Sequence, residues 1–297
     1  MVKNILKKII ASIEKITNWK IIIIPKETEL RPSAVKSDIG FWYAGKVVDE
    51  KDISYGILRN GVVEVFETNL VLKILKQMNT SLSQCNFYDI GANSGYYGIL
   101  AAYAGNGKTN TYSFEPLSEY SSLIEESVNL NRLEDKVNVF KHALGATPST
   151  DTMQLSGSGS SLKPGFLGKQ DNLPTREITI EPLDTVVDKS NLPPPHFIKI
   201  DVEGFEYEVL KGGLDVITKT QPILFIEIAG LLKTGYGDFK NEHASDIFDL
   251  LHGLGYNAFV INDSVKSVTD IVPENGVFMY LFLNKNNHQH KAIRAII

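Results

Sequence analysis

Residues 87–95 carry the most informative pattern in the chain, Phe87-Tyr88-Asp89-Ile90-Gly91-Ala92-Asn93-Ser94-Gly95. The apolar first half predicts a buried strand, the glycines predict a tight turn, and the residues that follow predict a helix. Glycine lets the backbone pass close to a bound ligand, and the N–H groups at the start of a helix attract negatively charged groups. The pattern therefore predicts a ligand site at the end of a strand.

The spacing of the glycines argues against a dinucleotide site and an NAD-dependent enzyme. It is Gly91-x-x-x-Gly95 rather than G-x-G-x-x-G, and Asp89 stands where it would repel a pyrophosphate. A ligand with a positive centre and an amino-acid end fits better. S-adenosylmethionine is such a ligand, because its sulfonium and ammonium groups favour an acidic wall and its carboxylate favours free N–H groups. A strand–turn–helix without a ligand is the alternative.

Short apolar strands alternate with helices around this stretch. Strands are predicted at Asn86–Ile90, Asn110–Phe114, Val137–Leu144, Phe197–Ile200 and Ile223–Ile228, with a closing antiparallel pair at Tyr256–Ile261 and Gly276–Leu283. Helices are predicted at Asn69–Met78, Tyr96–Ala104, Ser118–Asn131, Tyr207–Lys211 and Glu242–His252. This alternation is typical of βαβ units, so the predicted fold class is α/β with a parallel sheet.

Acidic residues stand at the carboxyl ends of the predicted strands. Glu115 lies 24 residues after Gly91, near the place where a nucleotide fold holds the ribose hydroxyls with a carboxylate. Asp201 and Glu227 end two later strands. Because ligands bind outside this edge of an open parallel sheet, these groups and Asp89 are expected to gather around one site.

At this point the chain resembles the FkbM family of S-adenosylmethionine-dependent methyltransferases, over roughly residues 61–283. The resemblance rests on Asp89–Gly95, Phe114–Pro116, Ala143–Gly145, Ile200–Glu206, Val209–Gly212 and Pro222–Glu227. It implies the class I (Rossmann-like) seven-stranded methyltransferase sheet. It also implies methylation of a hydroxyl group on a sugar or polyketide-type product.

The same resemblance implies which residues bind the cofactor. The methionine end would lie against Asp89, Gly91, Asn93 and Gly95, the ribose against Glu115, and the adenine near His142 and Ala143, with Ala92 and Pro116 as further cofactor-binding residues. No family motif covers the N-terminal helix or the long segment after Leu144.

A sugar hydroxyl is a poor nucleophile until its proton is removed or its oxygen binds a metal. Asp201 is therefore predicted to be the general base or a ligand of a divalent ion, with Glu203 or Glu227 as helpers, and Glu227 and His142 are the alternative candidates for the base. Other roles stay open: Asp201 caps the next helix, Lys199 pairs with a carboxylate, and His142 packs against rings. Carboxylates suit Mg²⁺ but seldom form a dedicated cage, so the metal requirement is undecided.

Met1–Trp19 has the period of an amphipathic helix, with isoleucines on one face and lysines on the other. Its charges argue against a signal peptide, and the apolar run Ile21–Ile24 is too short to cross a membrane. Two roles stay open. The helix packs on the domain or on a partner subunit, which includes a homodimer, or residues 1–20 make a peripheral contact with an anionic membrane surface.

The expected organisation is an N-terminal extension, residues 1–60, followed by a methyltransferase domain, residues 61–297. A hairpin is predicted from strands Ile53–Arg59 and Val62–Glu67, which turn at Asn60-Gly61. Residues 145–195 are too long for an ordinary connection and predict an insertion or lid that faces the substrate. A mobile surface excursion is the alternative.

The composition bounds the function. With 43% hydrophobic and 22% charged residues the chain is not mainly disordered, and its net charge of −5 gives no general attraction to nucleic acid. The single cysteine, Cys85, excludes an internal disulfide and fits a cytoplasmic protein.

Two functions are expected from the sequence. The first is an S-adenosylmethionine-dependent O-methyltransferase that acts on a saccharide or related natural product, a component of a surface glycan, in the cytoplasm or at the inner membrane face. The second is a non-catalytic partner subunit that binds S-adenosylmethionine in a membrane-associated glycan-assembly complex.

Overall fold

The computed structural model describes residues 33–46, 49, 52–157, 159–163, 166, 173–234, 237–272 and 277–297. The predicted helix Met1–Trp19, with the membrane and subunit contacts predicted for residues 1–20, lies outside these ranges. Within them, each helix is too short or too polar to cross a lipid bilayer.

The strands form a large central sheet and three small ones. In chain order they are β1 (Ser33–Lys36), β2 (Trp42–Gly45), β3 (Cys85–Ile90), β4 (Thr109–Phe114), β5 (Val137–Phe140), β6 (Ala143–Leu144), β7 (Ser149–Gln154), β8 (Thr175–Glu181), β9 (Phe197–Ile200), β10 (Ile223–Ala229), β11 (Leu231–Thr234), β12 (Gly237–Lys240), β13 (Tyr256–Ile261), β14 (Val265–Val268) and β15 (Val277–Asn284). The central sheet has the order β14-β13-β15-β10-β9-β3-β4-β5.

The central sheet confirms the predicted α/β class. The five strands from β10 to β5 are parallel, whereas β15, β13 and β14 are antiparallel to their neighbours. Seven of these strands form the expected sheet. The eighth, β14, pairs with β13 at the edge and was not predicted from the sequence.

Helices cover both faces of this sheet. They are α1 (Ile53–Asn60), α2 (Val65–Ser81), α3 (Tyr96–Ala104), α4 (Ser118–Asn131), α5 (Leu183–Lys189), α6 (Glu206–Gly212), α7 (Leu214–Thr220), α8 (Ala244–Gly253) and α9 (His288–Arg294). Successive residues of a strand point to opposite faces, so Phe87 packs in the core with α2 and α3 while Tyr88 packs with α5 to α8. Every residue of β3 is buried, as expected for a parallel strand covered on both sides.

The hairpin predicted between residues 53 and 67 is wrong, because this segment forms α1 and α2. The Asp52 side chain accepts the Ser54 N–H and so caps the start of α1. Gly61 then ends α1 in a left-handed conformation, and its N–H bonds the Ile57 carbonyl. Asn-Gly therefore acts here as a helix end. A hairpin does occur earlier, where β1 pairs with β2.

The segment 145–195 carries regular structure of its own in its described residues. The predicted strand Val137–Leu144 splits into β5 and β6, because the chain leaves the central sheet after Phe140. A three-stranded sheet of order β6-β8-β7 follows, and Met153, Leu162 and Ile178 pack in its small apolar cluster. This sheet lies beside the β4 side of the molecule, since Leu117 belongs to the same cluster.

Candidate functional site

A cavity of about 280 Å³ opens at the carboxyl ends of β10, β9, β3 and β4. This is the edge of a parallel sheet where ligands bind. The carboxylates that line it are Glu64, Glu115, Asp201, Glu203 and Glu227. Its apolar wall includes Ile90, Phe114, Leu117, Ala143, Leu144, Met153 and Leu162. Strand order places the acids of β9 and β10 at one end and the apolar wall beyond β4 at the other.

The turn after β3 holds the middle of this edge. Gly91 has a φ of +73°, and a Cβ at this position would lie 1.8 Å from the backbone carbonyl oxygen of Asp201. The N–H of Asp201 in turn bonds the carbonyl of Ile90 at 3.0 Å. Only glycine therefore allows the end of β3 to lie against the end of β9.

The N–H groups of this turn already have acceptors inside the protein. Gly91 and Ala92 donate to the Phe114 carbonyl, and Gly95 donates to the carbonyl of Ala92. Asn93 donates to Glu115 Oε2 at 2.9 Å, and Ser94 donates to the Asn93 side chain. The expectation that free N–H groups of residues 91–95 receive the cofactor carboxylate is therefore not supported by this geometry.

Glu115 is fixed by the backbone on both oxygens. Besides the bond from Asn93, its Oε1 accepts the Leu117 N–H at 2.8 Å. Burial raises the pKa of this carboxyl to about 8, although the two backbone hydrogen bonds oppose the shift. Each oxygen keeps a further lone pair for a ligand hydroxyl, so Glu115 is oriented as a ribose-binding group would have to be.

Asp89 is placed differently from the sequence expectation. It is 1% exposed and does not line the described cavity wall. In the sheet it pairs in register with Lys199, one residue pair deeper than the cavity edge. Burial raises its pKa to about 6, while the Lys199 charge and the Gly98 backbone oppose this shift. Asp89 therefore lies beneath the cavity rather than in its wall, and its contact with the cofactor stays a prediction.

The other residues that the sequence predicts for the site fall into two groups, those that line the cavity and those that lie outside its wall. Pro116 and Ala143 line the cavity, whereas Ala92 and Gly95 form the turn behind it. His142 packs its ring 6.1 Å from the rings of Phe114 and Phe140 and is absent from the described wall. Burial lowers the pKa of His142. Its position favours the packing role over that of the base.

Asp201 and Glu227 form a carboxyl pair at the acidic end of the cavity. The two side chains are close enough to share a hydrogen bond, which requires that one of them is protonated. The charge of Asp201, together with burial, raises the pKa of Glu227 well above its usual value. Burial acts to raise the pKa of Asp201 too, but the Lys199 charge and the hydrogen bonds from Glu227 and Lys199 outweigh it and lower the pKa. Glu227 is therefore the member of the pair that holds a proton more readily, and Asp201 is the one that ionises more readily.

Lys199 lies directly beneath this pair. Its Nζ is 2.9 Å from Asp201 Oδ2, and its side chain is only 4% exposed. The Tyr97 ring covers the ammonium at 5.1 Å from the ring centroid. Lys199 therefore pairs with a carboxylate, one of the roles left open by the sequence, and keeps that carboxylate charged.

Glu203 and the insertion close one side of the cavity. Glu203 has a φ of +54°, and burial together with the charges of Asp201 and Glu206 raises its pKa to about 8. The Ser161 hydroxyl donates to the Glu203 carbonyl at 2.6 Å. Gly157 and Ser160 of the same segment also line the cavity. Residues from the loop after β9 and from the insertion thus line this end of the cavity together.

Glu64 is a cavity residue that the sequence interpretation missed. It precedes α2, and its Oε2 accepts the Tyr97 hydroxyl at 2.5 Å. The predicted strand Val62–Glu67 includes Glu64, so the sequence interpretation did not place this residue at the start of a helix. An acidic residue just before a helix was the available signal, but nothing in the sequence places it beside Tyr97.

Among the residues that the structure describes, no three His, Cys, Asp or Glu side chains are arranged to hold a metal ion. The described residues therefore provide no set of ligands for the divalent ion whose requirement the sequence left undecided.

The chain matches the family model of the methyltransferase FkbM domain over residues 89–258. No curated protein matches the sequence. Among solved structures it is similar to a methyltransferase FkbM from Methylobacillus flagellatus KT, with 17% identity, a TM-score of 0.44, and coverage of 67% of this chain and 44% of that one. The chain thus spans less than half the length of that protein.

Two further solved structures are similar at comparable levels. An O-methyltransferase from Bacillus cereus in complex with SAH is 14% identical, with a TM-score of 0.41 and coverage of 74% of this chain and 80% of that one. A SAM-dependent O-methyltransferase from Thermotoga maritima is 10% identical, with a TM-score of 0.39 and coverage of 86% and 79%.

Proposed function

Because the chain belongs to the FkbM methyltransferase domain family, we propose that it transfers the methyl group of S-adenosylmethionine to a hydroxyl group of a saccharide or a related natural product. The proposal rests on one observation. Glu115 and the Asp201–Glu227 pair line the same cavity, on either side of the turn at Gly91. A surface glycan component is the proposed source of the acceptor.

The residues present fit the cofactor. Glu115 offers two backbone-oriented oxygens to the ribose hydroxyls. The apolar wall around Phe114 and Leu144 suits the adenine ring, and the acids around Asp201 suit a positive centre. Adjacent strands are about 4.8 Å apart, so the ends of β4 and β9, with β3 between them, are separated by about 10 Å. The ribose group and the acidic end thus have the separation that one extended ligand can bridge.

For this reaction the protein has to supply a base for the hydroxyl proton, alignment of the reactants and exclusion of water. When bound, S-adenosylmethionine supplies an electrophilic methyl group whose leaving group is a neutral thioether. The carboxylate of Asp201 accepts the hydrogen of the acceptor hydroxyl and takes its proton as the oxygen forms its new bond. Lys199 keeps Asp201 ionised, and Glu227 donates a hydrogen bond to the same carboxylate without transferring its proton. The walls of the cavity align the reactants and exclude water.

Calorimetric titration tests the proposal. We expect micromolar binding of S-adenosylmethionine and no binding of NAD to the full chain. Glu115→Gln turns an amide N–H₂ towards one of the two backbone donors, so affinity is expected to fall about 10- to 100-fold. Glu125→Gln is the matched control, because Glu125 lies on the adjacent α4 and forms an exposed ion pair with Lys141. Absence of S-adenosylmethionine binding to the wild-type chain contradicts the proposal.

A further inference from the structure

Glu64 occupies an unusual backbone position at the start of α2. It lies outside the residues matched by the family model, 89–258. Its φ and ψ are +44° and +61°, a left-handed conformation that is unfavourable for a residue with a Cβ atom. It also makes no side-chain capping bond to α2, whereas Asp52 caps α1 in the ordinary extended conformation. The strained position is thus not explained by helix capping.

The side chain of Glu64 is directed to the cavity instead. Its Oε2 accepts the Tyr97 hydroxyl, the Tyr97 ring covers Lys199, and Lys199 bonds Asp201. Glu64 lines the same cavity as Asp201. A chain of three contacts therefore connects the proposed base to a carboxyl supplied by a segment upstream of the family domain.

Glu64 remains available to a ligand. More than a third of the residue is exposed, and the Tyr97 hydroxyl bonds one of its two oxygens. Protein atoms crowd this cavity-facing side chain and raise its pKa, while the Tyr97 hydrogen bond acts against the shift. In the part of the chain that the structure describes, Glu64 forms no salt bridge. Such a carboxyl suits a neutral hydroxyl donor, and sugars carry hydroxyls on neighbouring carbons.

We propose that Glu64 accepts a hydrogen bond from a second hydroxyl of the acceptor, next to the one that is methylated, and so determines which hydroxyl faces Asp201. The inference rests on the proposed function and adds to it a specificity-determining residue and an acceptor with adjacent hydroxyl groups. Ile53 of α1 lines the same cavity, so the α1–α2 segment forms part of the acceptor wall.

The test measures transfer of a tritiated methyl group from S-adenosylmethionine by the full chain. The acceptors are methyl α-pyranosides of common hexoses and 6-deoxyhexoses, each with monodeoxy analogues that lack one neighbouring hydroxyl. Glu64→Gln is expected to raise KM about 10- to 100-fold with kcat within about 3-fold, the effect of losing one charged hydrogen bond in binding. Tyr97→Phe, which frees Glu64 from its partner, is expected to give a smaller change in the same direction. Glu67→Gln on α2 is the matched control and leaves KM unchanged.

The outcomes separate the inference from the proposed function. The role of Glu64 is supported if Glu64→Gln has a higher KM than wild type for the full pyranoside but the same KM as wild type for the analogue that lacks the neighbouring hydroxyl. Equal KM values for Glu64→Gln, Glu67→Gln and wild type overturn that role and leave the proposed function intact. If S-adenosylmethionine binds but no pyranoside is methylated, the acceptor with adjacent hydroxyls is overturned. If S-adenosylmethionine does not bind, the proposed function fails, and calorimetry on the same samples identifies that case.

Discussion

The two ends of the cavity are built in different ways. At the β4 end, Glu115 is held by backbone N–H groups of residues 2 and 22 positions away. At the β9 end, Asp201 is held by side chains, namely Lys199 below it and Glu227 on the neighbouring strand. Tyr97 and Glu64 extend that second network to α3 and to the start of α2.

At one end the backbone fixes the orientation of the carboxyl group, and at the other end side chains determine its charge. Backbone hydrogen bonds orient Glu115 whatever the neighbouring charges are, as suits a group that grips a cofactor. The Asp201 network depends on where one proton and one ammonium charge reside, as suits a group that accepts a proton. Gly91 belongs to both ends, because its turn contacts the Asp201 carbonyl while the next residues contact Glu115. The predictions below separate the two ends or break the contact between them.

The largest effect is expected at Gly91. Gly91→Ala forces a Cβ against the Asp201 carbonyl oxygen, so the ends of β3 and β9 must separate, and we expect a loss of about 5 kcal/mol of unfolding free energy. Gly107→Ala is the control, because Gly107 has a similar positive φ but no atom within 4 Å of the added Cβ. It should cost about 1 kcal/mol. Equal losses in urea unfolding would show that the contact with Asp201 is unimportant.

Removal of the buried cation should have the next largest effect. Lys199→Met leaves Asp201 and Asp89 without their ammonium partner, and we expect a loss of about 3 kcal/mol at pH 8. The loss should shrink at pH 5, because the unpaired acids then take up protons, which favours the folded state at low pH. Lys211→Met, at the partly exposed pair with Glu208, serves as control and should change stability by about 0.5 kcal/mol or less. A deficit independent of pH contradicts the charge assignment.

His290 provides a titrating group remote from both ends. It is 2% exposed, its Nδ1 accepts the Asn284 N–H at 2.7 Å, and burial lowers its pKa to about 4. In the unfolded chain His290 takes up a proton near pH 6.5, but in the folded chain it does so only near pH 4. The free energy of unfolding therefore falls as the pH falls through this window. His290→Gln should reduce the loss between pH 7 and pH 5 by about 2 kcal/mol. Chemical denaturation at both pH values measures this, and S-adenosylmethionine affinity should be unaffected.

The smallest effect is expected for Asp89, which the sequence motif assigns to cofactor binding. Because Asp89 lies one residue pair below the cavity edge, Asp89→Asn should change the S-adenosylmethionine dissociation constant by less than about 3-fold. Calorimetry beside Glu115→Gln makes the comparison direct. A loss as large as that of Glu115→Gln would show that Asp89 contacts the cofactor after all.

The local parts of this site could be predicted from the sequence. Gly91, Asn93, Glu115 and Asp201 stand at strand ends, and a parallel sheet necessarily brings those ends to one edge. The depth of Asp89 could not be predicted, because it depends on the register that pairs it with Lys199 rather than with the cavity residues.

Tertiary contacts decided the remaining elements. Glu64 meets Tyr97 across 33 positions, and no local pattern encodes that contact. Asn60-Gly61 fits both a hairpin turn and a helix end, and the Asp52 cap with the packing of Ile57 in the core selects the helix.

The central claim is that the β4 end binds the cofactor and the β9 end promotes transfer. Its most direct test is the single-turnover rate of methyl transfer at saturating S-adenosylmethionine, with the pyranoside that wild type methylates fastest, for wild type and Asp201→Asn. We predict a fall of about 100-fold or more for Asp201→Asn, since saturating S-adenosylmethionine loads the variant with cofactor while the group that takes the proton is missing. A rate within about 3-fold of wild type would contradict the claim.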